Sequence, residues 1–103
     1  RKGDVINKGG YKISIPEMEL YLQSLQGVSE VAIITINDDI RGEDFVAYMV
    51  LEDNTELSKI IEIIHHERPS VEWPKAILEI PMLPLTECSK VDKRKLKEWY
   101  NKG

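Results

Sequence analysis

Cysteine is almost missing: Cys88 stands alone in 103 residues, so no internal disulfide framework holds the chain, and the composition suits a reducing compartment. Long apolar runs are missing too. No stretch approaches the ~18 residues that a membrane-spanning helix needs, and no signal-peptide pattern opens the chain. A cytoplasmic protein with no membrane partner is the expectation. Excess positive charge is also lacking, with 14 Lys and Arg against 18 Asp and Glu for a net charge of −4. That balance argues against a general nucleic-acid binder, which carries a basic face. The acidic residues are dispersed, so no acidic tail is implied. What is present is ordinary for one soluble globular domain: 42% hydrophobic and 31% charged residues, arranged periodically. Disorder is a poor account of such a chain. The first residues, Arg1-Lys2-Gly3, lack an initiator methionine and run straight into structure-forming sequence, which reads as a piece of a longer polypeptide.

Val5-Ile6-Asn7 and Tyr11-Lys12-Ile13 are short β-prone stretches around Lys8-Gly9-Gly10, where paired glycines supply the positive φ of a tight hairpin. Behind Pro16, Glu17 and Glu19, the residues Met18, Tyr21, Leu22 and Leu25 fall at i, i+3, i+4 and i+7. That spacing predicts an amphipathic helix, stopped at Gly27. The β-branched run 31–36 and the apolar run 45–51 predict two antiparallel strands joined by a polar loop, 37–44. Leu57, Ile60, Ile61 and Ile64 repeat the helical stripe ahead of Pro69. Residues 76–80 predict a last strand. Asp92 then caps a charged helix with Leu96 and Trp99 on one side. The order is hairpin, helix, strand, strand, helix, strand, helix. It gives an α+β domain: a small, mainly antiparallel sheet of about three strands plus an N-terminal hairpin, with helices packed on it.

Two loops hold the candidate chemistry. Lys8-Gly9-Gly10-Tyr11-Lys12 offers exposed backbone N–H groups, close approach and two cations, which suit a phosphate or an extended chain lying across it. A plain hairpin turn with solvated lysines fits the same residues. Pro84-Leu85-Thr86-Glu87-Cys88-Ser89-Lys90 ends in a lysine just before a capped helix. Such a lysine can bring a compact positive charge to a developing oxyanion, although a plain exposed surface lysine is the commoner reading of the same residues. No metal site is expected. His65 and His66 are adjacent on a helix, point about 100° apart and make poor co-ligands; they suit the dipole at a helix end. Cys88 has no histidine partner nearby in sequence, and Trp73, before Pro74, reads as a packing residue.

Taken together, the two loops resemble the C-terminal domain of the adenylate-forming superfamily, which includes acyl-CoA synthetases, aryl-acid–AMP ligases, luciferases and peptide-synthetase adenylation domains. That domain opens with a pattern near G-R-x-(D/K)-D-x-I-(K/N)-x-x-G-x-(K/R)-I-x-x-x-E-(I/V)-E. The corresponding run here is Arg1-Lys2-Gly3-Asp4-Val5-Ile6-Asn7-Lys8-Gly9-Gly10-Tyr11-Lys12-Ile13, followed by Pro16-Glu17-Met18-Glu19. It closes with L-P-x-T-x-x-G-K-(V/I)-x-(R/K)-(R/K)-x-L, matched by the run from Leu83-Pro84-Leu85-Thr86 through Ser89-Lys90-Val91-Asp92-Lys93-Arg94 to Leu96. Gly27-Val28-Ser29-Glu30-Val31-Ala32 and Gly42-Glu43 match landmarks between them. The ending looks most like stand-alone aryl-acid–AMP ligases, with acyl-CoA synthetases nearly as close.

The resemblance implies that residues 1–103 are the C-terminal lid domain of an AMP-forming acid–thiol ligase whose N-terminal catalytic core lies elsewhere. On its own the domain is expected to be essentially inactive. ATP and Mg2+ would be held mainly by that N-terminal AMP-binding domain. The partners implied are that domain, a carboxylic acid, and either coenzyme A or the phosphopantetheine of a carrier protein. Lys90 aligns with the adenylation lysine. Gly9, Gly10 and Lys12 align with the loop that enters the active site for thioester formation. Gly3, followed by Asp4, occupies the hinge, where glycine replaces the usual aspartate or lysine. Ser89 replaces the glycine before the catalytic lysine, a costly exchange if that backbone needs positive φ. The Lys93-Arg94-Lys95-Lys97 cluster reads as a solvated helix face, with a carrier's acidic surface or the nucleotide end of coenzyme A as the other reading. The rival to the whole account is a non-catalytic module that docks a carrier protein or partner enzyme with a degenerate lid.

Overall fold

The computed structural model describes residues 4–38, 40 and 42–102. Its elements follow the expected order. They are β1 (Val5–Lys8), β2 (Tyr11–Ser14), α1 (Ile15–Gln23), β3 (Val28–Asp38), β4 (Gly42–Leu51), α2 (Leu57–Glu67), a 3-10 turn (Ser70–Glu72), β5 (Ala76–Glu79) and α3 (Lys93–Lys102). The class is α+β. One sheet runs β2-β1-β4-β3, antiparallel throughout, and β5 joins β4 in parallel, a pairing that the sequence did not reveal.

The central ladder is longer than its apolar runs. β3 and β4 pair from Val28↔Leu51 to Asp38↔Gly42, so most of the loop expected at 37–44 is strand. Polarity there marks the end of the core and not the end of the ladder, because neighbouring groups capture the polar side chains. Glu43 Oε1 accepts the Asn7 N–H at 2.8 Å, and Asp44 Oδ1 accepts the Phe45 N–H at 2.8 Å.

Side chains of β4 alternate between two apolar layers. Phe45, Ala47 and Met49 join Ile33, the hairpin residues Ile6 and Ile13, Met18 and Leu22 of α1, and Ile60 and Ile64 of α2. Val46 and Tyr48 face the other way and join Ala32, Ile34, Leu83 and Leu96 of α3. A strand covered on both faces needs a continuous apolar sequence, and 45–51 supplies it.

The helices start and stop for local reasons. Ser14 Oγ accepts the Glu17 N–H at 3.4 Å, with Pro16 in the first turn of α1. The helix ends at Gln23, earlier than expected, and Gly27 turns the chain into β3 at φ 96°. Glu19 of α1 accepts the Ile33 N–H and the Lys93 ammonium, each at 2.9 Å. One carboxylate thereby covers part of the free edge of β3 and ties α1 to α3. Asp92 Oδ1 accepts the Lys95 N–H at 3.1 Å and caps α3 as expected. Leu96 is fully buried with Tyr100 packed beside it, whereas Trp99 stays 42% exposed. The expected Leu96–Trp99 stripe is therefore corrected to Leu96–Tyr100, the i, i+4 pair that shares the helix face.

Lys8, expected as a solvated cation, is instead buried. Its ammonium lies 3.0 Å from Asp44 Oδ1, donates to the Trp73 carbonyl at 2.5 Å, and sits 5.5 Å from the centre of the Phe45 ring. Removing one member of a buried, hydrogen-bonded ion pair strands the other. Lys8→Met should therefore destabilise by about 3–5 kcal/mol, and Lys8→Met with Asp44→Leu should recover most of that loss. Equilibrium denaturation of the four members of this cycle measures it.

Candidate functional site

The first candidate loop is the tip of the β1–β2 hairpin. Lys8 pairs with Tyr11, so only Gly9 and Gly10 lie between the strands. Their φ values, 59° and 92°, follow the type I′ pattern in which both central residues are left-handed. The Gly10 N–H donates to Asn7 Oδ1 at 2.8 Å. A Cβ built at Gly9 or Gly10 would meet nothing within 4 Å. Within this chain the glycines answer to backbone conformation alone, and the tip stands open to whatever approaches it.

The hairpin is tied to the following elements at several points. Lys8 holds Asp44 and the Trp73 carbonyl, and the Tyr11 hydroxyl donates to Glu72 Oε2 at 2.8 Å. That carboxylate pushes the exposed Tyr11 phenol's pKa upward, chiefly through the hydrogen bond. Arg68 pairs with Glu72 at 3.2 Å, and its guanidinium lies 4.1 Å over the Tyr21 ring. The Tyr21 phenol, bonded to Glu67 Oε1 at 2.6 Å, is pushed up to about 12, first by burial and then by that bond. Lys12 is exposed and lines a cleft of about 370 Å³ with Tyr11, Glu17, Tyr21, Arg68 and Glu72. On the other side of the tip, Gly9 borders a cleft of about 770 Å³ with Ile40, Val71, Trp73 and Pro74. Trp73 is partly buried, stacked on His65 with ring centres 3.8 Å apart, and its Nε1 donates to the Arg68 carbonyl at 2.9 Å. It packs, as expected.

The second candidate loop is a tight turn. Leu85 and Val91 form an antiparallel bridge, and inside it the Thr86 N–H donates to the Lys90 carbonyl at 2.7 Å. The Ser89 N–H returns to the Thr86 carbonyl at 2.9 Å, which closes a turn over 86–89. Ser89 has φ 63°. This is the three-residue hairpin in which a left-handed residue follows the turn, the place where glycine is preferred. The expected cost of serine is therefore real. Lys90 is exposed, and among the described residues its ammonium has no ion-pair partner. Cys88 is an exposed free thiol.

The two loops are not brought together. Gly9 and Gly10 join strands whose Ile6 and Ile13 pack in the layer with α1 and α2. Lys90 precedes Val91, which packs in the opposite layer with Leu83 and α3. Of the hinge pair, Gly3 lies outside the described residues. The Asp4 carbonyl accepts the Ile15 N–H at 2.7 Å, which fastens Asp4 to the start of α1. Among the described residues, no group of three or more His, Cys, Asp or Glu side chains is placed to hold a metal ion. No described helix is long and apolar enough to cross a membrane.

Sequence reasoning missed the Lys8–Asp44 pair, the Tyr11–Glu72 tie and the four-fold use of Thr86, whose Oγ1 also accepts two amides. The first two join residues far apart in the chain and leave no local signal. Thr86 was visible as part of a motif, without a reason for being threonine.

The family model for AMP-binding enzyme C-terminal domains matches residues 17–90. A 2-hydroxy-7-methoxy-5-methyl-1-naphthoate–CoA ligase of Streptomyces carzinostaticus is 33% identical over 94% of this chain and 18% of its own length. A salicylyl-CoA synthase/salicylate adenylyltransferase of a Streptomyces species is 35% identical over 95% of this chain and 18% of its own. Among solved structures, the Mycobacterium tuberculosis fatty acyl CoA synthetase superposes with a TM-score of 0.79 at 30% identity, covering 97% of this chain and 20% of that one. The chain thus spans about a fifth of the length of these proteins.

The backbone of the two turns makes opposite predictions for the same kind of exchange. Ser89→Gly relieves a left-handed serine and should stabilise by about 0.5–1 kcal/mol, whereas Gly10→Ala should destabilise by about 1 kcal/mol. Thermal denaturation of the two variants checks both signs.

Proposed function

Because the chain belongs to the family of AMP-binding enzyme C-terminal domains, we propose that it is the mobile small domain of an ATP-dependent acid–thiol ligase. The observation that carries this reading is the segregation of its two open loops to opposite layers of one sheet. A domain that serves two half-reactions by turning needs one working end on each side.

In the first half-reaction, a carboxylate oxygen attacks the α-phosphorus of ATP. The bond to the bridging oxygen breaks, and pyrophosphate leaves with its electron pair. Negative charge builds on the α-phosphate and carboxylate oxygens, and the Lys90 ammonium, without an ion-pair partner among the described residues, neutralises it. On this reading the Mg2+ that accompanies ATP is held mainly by the N-terminal AMP-binding domain. In the second half-reaction a thiolate sulfur attacks the acyl carbon, and AMP leaves with the electron pair of the acyl–oxygen bond. The Gly9–Gly10 tip lets the thiol's arm pass close to the backbone, and Lys12 offers a cation to a nearby phosphate. The pivot is Gly3, whose missing Cβ allows a large φ/ψ change, while Asp4 travels with α1.

The naphthoate–CoA ligase and the salicylate adenylyltransferase among the relatives support an aryl acid as substrate and coenzyme A as thiol, with carrier-bound phosphopantetheine as the other acceptor. The chain alone should not turn over ATP.

Acid-dependent ATP–pyrophosphate exchange on the full-length protein tests the reading. Lys90→Ala should lower the exchange rate by about 10²–10³-fold, the usual loss when one oxyanion-stabilising donor is removed. Unchanged exchange would favour a docking module with a degenerate lid.

A further inference from the structure

We propose that Thr86 is the positioning residue of the adenylation lysine, an inference that rests on the role assigned to Lys90 above. Four hydrogen bonds converge on this one residue. Its N–H donates to the Lys90 carbonyl at 2.7 Å, and its carbonyl accepts the Ser89 N–H at 2.9 Å. Its Oγ1 accepts the Cys88 N–H and the Lys90 N–H, both at 3.3 Å. Both backbone groups of Lys90 are therefore held by Thr86, one by its main chain and one by its side chain.

The need for such a clamp follows from the loop itself. Ser89 occupies a left-handed conformation that only glycine adopts without strain, so the turn has a standing tendency to relax. Relaxation at 89 would swing the stem of the next residue. The hydroxyl of Thr86 opposes this, because it gives the 88 and 90 amides an acceptor that exists only in the tight form. Downstream, the Asp92 N–H donates to the Pro84 carbonyl at 2.8 Å, and Val91 packs into the core layer. The result is a held stem whose ammonium has no ion-pair partner among the described residues. A long lysine delivers its charge to one place only if its Cα is fixed, and misplacement by about 1 Å costs on the order of 10²-fold in rate. Thr86 never meets substrate in this account; it acts through Lys90.

The test compares Thr86→Val, which keeps the β-branched shape and removes the acceptor, with Thr86→Ser, which keeps the acceptor. Both are made in the full-length ligase and assayed by acid-dependent ATP–pyrophosphate exchange. Thr86→Val should lower kcat by about 10–100-fold with KM for ATP and for the acid nearly unchanged, because ground-state binding is untouched. Thr86→Ser should restore most of the rate. Adding Thr86→Val to Lys90→Ala should cause no further loss, since the clamp then holds nothing that reacts. Wild-type exchange in Thr86→Val beside a disabled Lys90→Ala would overturn the clamp and leave the lysine's role intact. Wild-type exchange in Lys90→Ala would remove that role itself. A fall in Thr86→Val that is matched by Thr86→Ser, or that adds fully to Lys90→Ala, would show general damage and also overturn the clamp.

Discussion

Strand β4 is hydrogen-bonded to β3 on one side and to β1 and β5 on the other, and its side chains from Phe45 to Met49 are 3% exposed or less. Each large apolar side chain in that row contributes about 1.5–3 kcal/mol through burial. The row also fixes orientation. A one-residue slip would exchange the sets facing α1 and α2 with the set facing α3, so the register is strongly specified. Because the hairpin packs in one layer and the Val91 stem in the other, the register of β4 also decides which loop looks out from which side.

Around this apolar frame polar ties join the elements, one of them buried and others exposed. Lys8 binds Asp44 and the Trp73 carbonyl, which joins β1 to β4 and to the segment leading into β5. A buried ion pair is weak grounds for stability, since desolvation opposes the Coulomb attraction. Its value here is geometric. With the Tyr11–Glu72 bond, it ties the glycine tip to the segments that follow α2. Glu19 does the same for α3, the helix that follows the Lys90 turn. These ties suit the proposed turning of the domain as one piece.

Much of this was legible from periodicity. The stripes at Met18–Leu22 and Ile60–Ile64, the apolar run at 45–51 and the paired glycines each have a local physical cause, and each formed the element expected. The failures share a different cause. Asp44 and Glu43 read as loop because their partners, Lys8 and Asn7, lie in another strand. Lys8 read as solvated for the same reason. Trp99 was expected beside Leu96 on spacing alone, whereas Tyr100 shares that face. At the candidate site, Lys90 stood out through motif resemblance, because no local pattern distinguishes it from the other lysines. The left-handed Ser89 was a conditional expectation that the backbone turned into a finding.

The central claim is that each loop serves one half-reaction. Supplying the full-length protein with preformed acyl-adenylate and a thiol isolates the second of the proposed steps. In that assay Lys90→Ala should form thioester near the wild-type rate, while Gly10→Leu, which puts a branched side chain on the open tip, should lose most of it. A Lys90→Ala enzyme that fails with preformed adenylate, or a Gly10→Leu enzyme that transfers normally, would contradict the division of labour between the two layers.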